Sequence, residues 1–260
     1  MEISTAKIEK IANLYNQPTR YCYELRKLGK NMVTEAERKQ ILTFIPTNLE
    51  FMGLKMDVLK KIAKKTTINC KDDVNECFTL LKTLWSDATR EGRQIAAEVL
   101  ALLSKKYPEQ CFEFIQDRLH HIGDWELCDR LACMSMKQLI KNDYEKYKKL
   151  IPIWIQSENL WVRRFGTVCL VTISHLKHPD TTYILKSLDR VMDDSEYYVK
   201  KSVGWVLREV TKYYDPDIAY RFMRKYAKSD NKDTKWIVRD GSEKLDAKLR
   251  EKILGILKSN

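Results

Sequence analysis

The sequence predicts an all-α protein built from helical repeats, and three observations lead to this prediction. Glycine (8) and proline (6) are too few among 260 residues for the turns of an all-β protein, which leaves long stretches for helices. Hydrophobic residues make up 44% of the chain, enough for a well-buried core. Four similar segments start 37, 34 and 37 residues apart, a period typical of stacked helix pairs.

The repeated segments begin at Ser86, Gly123, Ser157 and Asp194, and a fifth, degraded copy begins at Asp230. Each opens with a small or acidic residue suited to cap a helix. Each of the first four carries a basic residue seven positions after its start, namely Arg93, Arg130, Arg164 and Lys201. The second helices of the pairs are introduced by Pro108, Pro179 and Pro216. Such pairs stack into an α-α superhelix, a solenoid of HEAT-like repeats with a concave face.

Charge and cysteine usage indicate the surroundings of the protein. Lys and Arg number 47 against 36 Asp and Glu, and the net charge of +11 predicts a polyanionic partner. The seven cysteines are scattered and include no C-x-x-C pair, so we expect neither a disulfide framework nor a zinc site, and a reducing, cytoplasmic compartment. The start has no signal-peptide pattern and the apolar runs are too short to span a bilayer, so we expect no membrane partner.

Three neighbouring repeats each place an indole and a charge about one helical turn apart. The groups are Trp125 with Asp129, Trp161 with Arg164, and Lys201 with Trp205 and Arg208. In a solenoid these helices lie side by side, so we expect the groups to converge on one concave groove. Two structural alternatives stay open: the indoles belong to the core, and Arg93 and Arg130 pair with acids of neighbouring repeats.

Asp129 is the unexpected residue of this set. Basic side chains bind phosphates and aromatic rings stack on bases or cover sugars, but a carboxylate repels a polyanion. Cleavage of a glycosidic bond explains such an acid, because the oxocarbenium-like transition state develops positive charge on the sugar, which a carboxylate stabilises.

Three segments resemble those of the AlkD-type family of DNA alkylation repair glycosylases, which are built from HEAT-like repeats. They are G-D-W-E-L-C-D from Gly123, I-P-I-W-I-Q-S-E-N-L-W-V-R-R from Ile151 and V-K-K-S-V-G-W-V-L-R-E-V from Val199. The resemblance runs from about Gly53 to Tyr220. It implies a monofunctional glycosylase that excises cationic alkylated purines, N3-alkyladenine and N7-alkylguanine, from double-stranded DNA, with no metal and no organic cofactor.

The resemblance also implies roles for individual residues. The family's catalytic acid four residues after a Trp falls on Asp129, with Trp125 beside it. The phosphate-binding Arg of W-x-x-R falls on Arg164, and the second sugar-contacting Trp, in G-W-V-L-R-E, falls on Trp205. The remaining predicted DNA contacts are Arg93, Trp161, Lys201 and Arg208. The chain departs from the family pattern at Asp124 and Glu126, whose negative charge predicts weaker DNA binding.

We expect one domain over residues 1–260, with weakly matching N-terminal helices in 1–52, a repeat core in 53–228 and capping helices in 229–260. The protein is expected to be a DNA-associated monomer of the cytoplasm. The alternative function is a non-catalytic HEAT-like scaffold that binds DNA or a protein. Nucleotide-binding, zinc-protease and serine-hydrolase motifs are absent, and the two histidine pairs, His120-His121 and His175-x-x-His178, are weak metal patterns.

Overall fold

The computed structural model describes residues 3–30 and 32–259. In these residues the chain forms helices joined by turns and contains no strand, which confirms the all-α prediction. One isolated backbone bridge joins Glu50 to Thr89. The helices group into two compact units, Met1–Gln138 and Leu139–Asn260. Our prediction of a single domain stays a prediction.

The first unit contains the N-terminal helices and the first predicted repeats. Its helices are α1 (Thr5–Ala12), α2 (Pro18–Gly29), α3 (Glu35–Phe44), α4 (Met56–Cys70), α5 (Val74–Ser86), α6 (Arg90–Leu103), α7 (Pro108–Gln116) and α8 (Trp125–Arg130). A 3-10 turn covers Leu119–His121, and a π-helical segment, Leu131–Ser135, continues α8 into α9 (Met136–Asn142). The boundary between the units falls inside α9.

The second unit continues the alternation of helices. Its helices are α10 (Tyr144–Ile155), α11 (Leu160–His175), α12 (Thr181–Leu188), α13 (Tyr197–Tyr213), α14 (Pro216–Tyr226), α15 (Lys232–Gly241) and α16 (Ala247–Ser259), with a 3-10 turn at Ser242–Lys244. Within this unit α11 packs on α13, and α13 packs on α15. Within the first unit α4 packs on α6, and α6 packs on the π-helical segment. The first helices of successive repeats are therefore neighbours inside each unit, which positions their side chains in rows.

The predicted repeat starts fall just before the N-caps of these first helices. The side chains of Thr89, Asp124, Asn159 and Asn231 each accept a hydrogen bond from a backbone N–H of the following turn. Glu196 occupies the same place before α13 without such a bond. The fifth copy, predicted from Asp230, is α15. Because the caps satisfy backbone donors that a helix leaves unpaired, they fix where each helix begins.

Proline opens two of the second helices as predicted. Pro108 and Pro216 occupy the first positions of α7 and α14, where a missing N–H costs nothing. Pro179 instead precedes Asp180, the N-cap of α12. The core is densest at α6 and α11, which are buried along most of their lengths, whereas no residue of α3 is buried.

The expectation of no disulfide is corrected at one pair of cysteines. The structure joins Cys70 and Cys77 in a disulfide, with their Cα atoms 5.4 Å apart. Cys70 ends α4 and Cys77 lies in the first turn of α5, and the short turn between the two helices brings both side chains into the core. Sequence spacing missed this pairing because it depends on how the two helices fold back. None of the described helices has the length and apolarity required of a membrane span.

Candidate functional site

The start of α8 presents Trp125 and Asp129. Asp124 caps this helix by accepting the Leu127 N–H at 2.9 Å, so Trp125 is the first helical residue and Asp129 follows one turn later on the same face. Both side chains are partly exposed. The Trp125 Nε1 donates to the carbonyl oxygen of Phe44, the last residue of α3, at 2.8 Å. An aromatic ring and a carboxylate therefore stand side by side at the surface of the first unit.

A π-helical segment begins two residues after Asp129. Its residues Leu131, Ala132 and Ser135 are buried, and the Ser135 hydroxyl donates to the Ala97 carbonyl of α6 at 3.0 Å. Such segments are rare and are often found at functional sites, because the wider turn redirects the side chains around it. The segment anchors the helix that carries Asp129 to the core of the unit.

The two acids that depart from the family pattern are both used inside the fold. Asp124 is fully buried as the cap of α8. Glu126 is ion-paired with Arg90 and lies 3.6 Å from an Arg130 nitrogen. Glu126 is therefore not an isolated negative charge beside Trp125, whereas Asp124 uses only its Oδ1 for the cap and its buried Oδ2 accepts no hydrogen bond from a described residue.

Arg93 and Arg130 occupy the same position in consecutive repeats but have different partners. Arg130 is ion-paired with Glu98 on α6 and donates to Gln94 at 2.7 Å, which confirms pairing between repeats for this residue. Arg93 lies over the Trp85 ring at 5.0 Å and donates to the carbonyls of Trp85, at 3.2 Å, and His121, at 2.7 Å. No carboxylate of the described residues lies within ion-pair distance of Arg93, and burial lowers its pKa.

In the second unit, Trp161 and Arg164 lie near the start of α11. The Trp161 ring packs on Tyr198 of α13 at a centroid distance of 5.2 Å. Arg164 is only 5% exposed, and its guanidinium donates to the Tyr198 carbonyl. The predicted phosphate-binding arginine is thus part of the packing between α11 and α13.

Helix α13 carries the other predicted contacts of the second unit. Lys201 and Arg208 both contact the carboxylate of Asp240 on α15, Lys201 at 3.3 Å. The Trp205 Nε1 donates to Glu209 at 3.1 Å, and Glu209 also lies 3.1 Å from His175. The positive charges on this helix are therefore partly balanced by an acid of the next repeat.

The indoles divide clearly between surface and core. Trp85 and Trp154 are only 5% and 4% exposed. Trp125, Trp161 and Trp205 are each partly exposed, although they lie on helices whose other faces are buried. These three residues, which are the ones that the motifs single out, are therefore half-buried: they lie outside the fully buried core, but Trp161 and Trp205 also pack on Tyr198 and His175.

The sequence reasoning missed further aromatic residues on α13 and α15, within the second unit. Tyr197 is 53% exposed, contacts Tyr198 and lies 6.0 Å from the Trp236 ring, over which Lys201 also lies at 5.6 Å. The repeat itself held the signal, because Trp161 and Tyr198 both stand four positions after their repeat starts. A tyrosine takes the place of the indole at this position of the fourth repeat.

The described residues contain no cluster of three or more His, Cys, Asp or Glu that could hold a metal ion. His175 lies 3.1 Å from Glu209 and packs edge to face on Tyr213 at 5.6 Å, and the His178 ring stacks on Tyr144 at 3.7 Å. Each of these histidines thus has a contact within the helix packing.

Comparison with known proteins gives a consistent family. A family model described as DNA alkylation repair enzyme matches residues 25–245. The chain is similar in structure to a predicted DNA alkylation repair enzyme from Enterococcus faecalis, with 18% identity and a TM-score of 0.67 over 84% of this chain and 97% of that one. It is also similar to AlkD2 from Streptococcus mutans, with 21% identity and a TM-score of 0.52 over 88% and 99% of the two chains.

A third similar structure is smu.31 from Streptococcus mutans UA159, with 21% identity and a TM-score of 0.52 over 90% of this chain and all of that one. At these identities the three structures show a shared helical fold. No curated protein matches the chain.

Proposed function

Because the chain belongs to the family of DNA alkylation repair enzymes, we propose that it is a DNA glycosylase that hydrolyses the N-glycosidic bond of cationic alkylated purines in duplex DNA. Family membership implies DNA binding. The observation that carries the finer proposal is the pair at the start of α8, where a partly exposed indole, Trp125, stands one turn from a partly exposed carboxylate, Asp129.

In this proposal Asp129 supplies the charge that the reaction needs. An alkylated purine such as N3-alkyladenine or N7-alkylguanine is already positive, so it leaves as a neutral base. The sugar left behind becomes oxocarbenium-like, and a carboxylate beside it stabilises the positive charge and orients the attacking water. The chemistry requires an acid and water and no metal or organic cofactor.

The indoles are proposed to contact the lesion nucleotide. Trp125 and Trp205 each use the polar edge of the ring for a hydrogen bond within the fold, to Phe44 and Glu209. Each ring can therefore offer its face to a positive sugar or base through a cation–π contact. The proposed remaining contacts are those predicted from the sequence: Trp161 at a sugar or base, and Arg93, Arg164, Lys201 and Arg208 at phosphates.

The test is the release of free methylated purines from methylated duplex DNA, with a metal chelator present throughout. The wild type should release the bases, and Asp129→Asn should release them more slowly by about two decades or more. Glu113→Gln is the matched control, because Glu113 is an exposed acid of α7 and its loss should leave the rate unchanged. Circular dichroism of each variant checks that helicity is kept.

Two results would overturn the proposal. No release by the wild type would leave DNA binding without catalysis, which is the scaffold alternative. Release by Asp129→Asn at the wild-type rate would remove Asp129 from the reaction.

We further propose that the protein acts as a monomer in the cytoplasm, associated with DNA.

A further inference from the structure

We propose that a cavity of about 340 Å³ in the first unit, which we call the Arg93–Arg118 cavity, is a binding site for a phosphate group. It is lined by Trp85, Ser86, Arg93, Asp117, Arg118 and His121. Arg118 was not predicted as a functional residue. We take the phosphate to belong to a DNA backbone, and in this the inference rests on the proposed function. A free phosphate compound would present the same chemical group.

The two arginines are held in place by aromatic rings. Arg93 lies over Trp85 at 5.0 Å and Arg118 lies over Phe114 at 3.9 Å. The two rings pack edge to face with centroids 5.9 Å apart, so one aromatic pair supports both guanidinium groups. Such stacking fixes a planar guanidinium without using its N–H donors.

The donors of both arginines are only partly used within the fold. Arg93 donates through Nε and Nη1, and Arg118 donates through Nη1 to the Phe114 carbonyl at 3.2 Å. The Nη2 groups of both arginines make no hydrogen bond with a described residue. A phosphate oxygen accepts such N–H groups readily, and two guanidiniums at one cavity suit its several oxygens.

These arginines also lack the acid partners that other buried arginines of the unit have. Arg90 is paired with Glu126, and Arg130 is paired with Glu98. Arg93 forms no ion pair with a described residue, although it occupies the repeat position of Arg130; the buried carboxylate of Asp124 acts on it through its charge alone. Arg118 lies 3.7 Å from Asp117, whose side chain is 74% exposed. Solvent screens an interaction with so exposed an acid.

Each of the two partly buried guanidiniums feels one carboxylate, Arg93 that of buried Asp124 and Arg118 that of exposed Asp117, but neither has a carboxylate in close contact, which leaves room for an anion at the cavity. Burial lowers the pKa of both Arg93 and Arg118, which reflects the cost of removing their charges from water. A bound phosphate would offset this cost. Ser86 and His121 line the same cavity, and a hydroxyl and an imidazole N–H can add hydrogen bonds to a phosphate.

The experiment compares the wild type with Arg118→Gln and with Lys105→Gln. Lys105 is exposed, lies just beyond the opposite end of α6 from Arg93, and forms no ion pair with a described residue, so its variant removes a charge away from the cavity. Binding to undamaged duplex DNA is measured at several salt concentrations. Arg118→Gln should reduce the slope of log affinity against log salt by about 0.9, the value for one phosphate contact, whereas Lys105→Gln should not.

Inorganic phosphate and pyrophosphate, titrated against each variant by calorimetry, separate the two sources. If Arg118→Gln loses phosphate binding but its slope of log DNA affinity against log salt is unchanged, the cavity binds a free phosphate compound, and the proposal that it binds the DNA backbone is overturned. No change in either measurement would overturn the site. Arg118→Lys keeps the positive charge and should recover most of the salt slope. Thermal melting of each variant shows whether a loss of binding comes from the cavity or from unfolding.

Failure of the proposed function remains distinguishable, because binding to undamaged DNA requires no catalysis. If the wild type releases no base, but Arg118→Gln still reduces the slope of log DNA affinity against log salt, the phosphate site is supported and the glycosylase proposal is overturned. Asp129→Asn, tested in parallel, should keep the full salt slope.

Discussion

At the residue scale, Trp125 shows how an aromatic side chain is fixed without being buried. Its Nε1 donates to the Phe44 carbonyl at 2.8 Å, at the end of α3, so the orientation of the ring is set by its edge. The ring is partly exposed, and a side chain that is already ordered loses little entropy when it binds a ligand. Trp205 repeats this arrangement in the second unit through Glu209.

We expect Trp125→Leu and Trp205→Leu each to slow base excision by about 3- to 30-fold, the loss of one cation–π contact. Single-turnover rates on methylated DNA measure this effect. Trp154→Leu is the contrasting variant, because Trp154 is buried and its replacement should lower the free energy of unfolding by about 2 kcal/mol. Loss of cooperative melting in Trp125→Leu would place that indole in the packing instead.

Arg164 tests whether a predicted phosphate contact binds DNA or only supports the packing, because its side chain is only 5% exposed. If it reaches a phosphate, Arg164→Ala should weaken DNA binding and reduce the salt slope by about 0.9, and Arg164→Lys should recover part of it. If its bond to the Tyr198 carbonyl is its whole role, the melting temperature should fall while the slope stays unchanged. DNA titrations and melting curves on the same samples decide between the two.

The sequence predicted the spacing of the candidate site residues more accurately than it predicted their partners. The i, i+4 spacing placed Trp125 and Asp129 on one helical face, as the structure shows. The burial of Arg164 and the capping role of Asp124 did not follow from spacing, because both depend on the neighbouring helix or turn. The roles of these residues in catalysis and DNA binding remain predictions.

At the element scale, Glu91 ties the segment before α4 to α6. This buried carboxylate accepts the backbone N–H groups of Met52, Gly53 and Leu54, at 3.0, 2.7 and 3.2 Å. Gly53 has a φ of +88°, a conformation that side chains rarely adopt, and this allows the tight approach. A single acid therefore organises the turn that precedes the repeats.

This arrangement predicts a pH dependence of stability. Burial raises the pKa of Glu91 above its ordinary value of 4.5, despite the backbone hydrogen bonds, which act in the opposite direction. Because the folded chain then holds the proton more tightly than the unfolded chain, the contribution of Glu91 to stability is full below about pH 4.5 and is lost as pH rises through the folded pKa. The stability of the wild type relative to Glu91→Gln should therefore fall as pH rises.

Urea unfolding of both proteins between about pH 4 and pH 7 measures this difference. The prediction would be contradicted if the free energy of unfolding of the wild type, relative to Glu91→Gln, increased with pH. Such a result would require the backbone hydrogen bonds to lower the pKa of Glu91 by more than burial raises it.

The elements themselves were largely predictable, because caps and prolines are local signals. The repeat starts predicted where α6, α8, α11 and α15 begin, but the capping residue lies one to three positions after each predicted start. The first-turn prolines of α7 and α14 were correct. The π-helical segment after α8 was not predicted, since no local residue demands it. The segment packs against α6, where the Ser135 hydroxyl donates to the Ala97 carbonyl.

At the scale of the whole molecule, the fold class and the family follow from periodicity and motifs, but charge placement does not. The net charge of +11 counts every basic residue equally. The structure distinguishes them: Arg130 is paired with Glu98, and Lys201 and Arg208 share Asp240. A paired cation neutralises a phosphate less effectively, because its own counter-ion is already in place.

The salt dependence of DNA binding should therefore be moderate for so basic a protein. Five proposed phosphate contacts, at Arg93, Arg118, Arg164, Lys201 and Arg208, correspond to a slope of log affinity against log salt of about −4.5. Because Lys201 and Arg208 share one acid, we expect a shallower value, about −3 to −4. Titration of undamaged duplex between about 50 and 200 mM salt measures it. A slope steeper than about −8 would mean that many exposed lysines also gather on DNA, and the proposed contacts would then be a minor part of the binding surface.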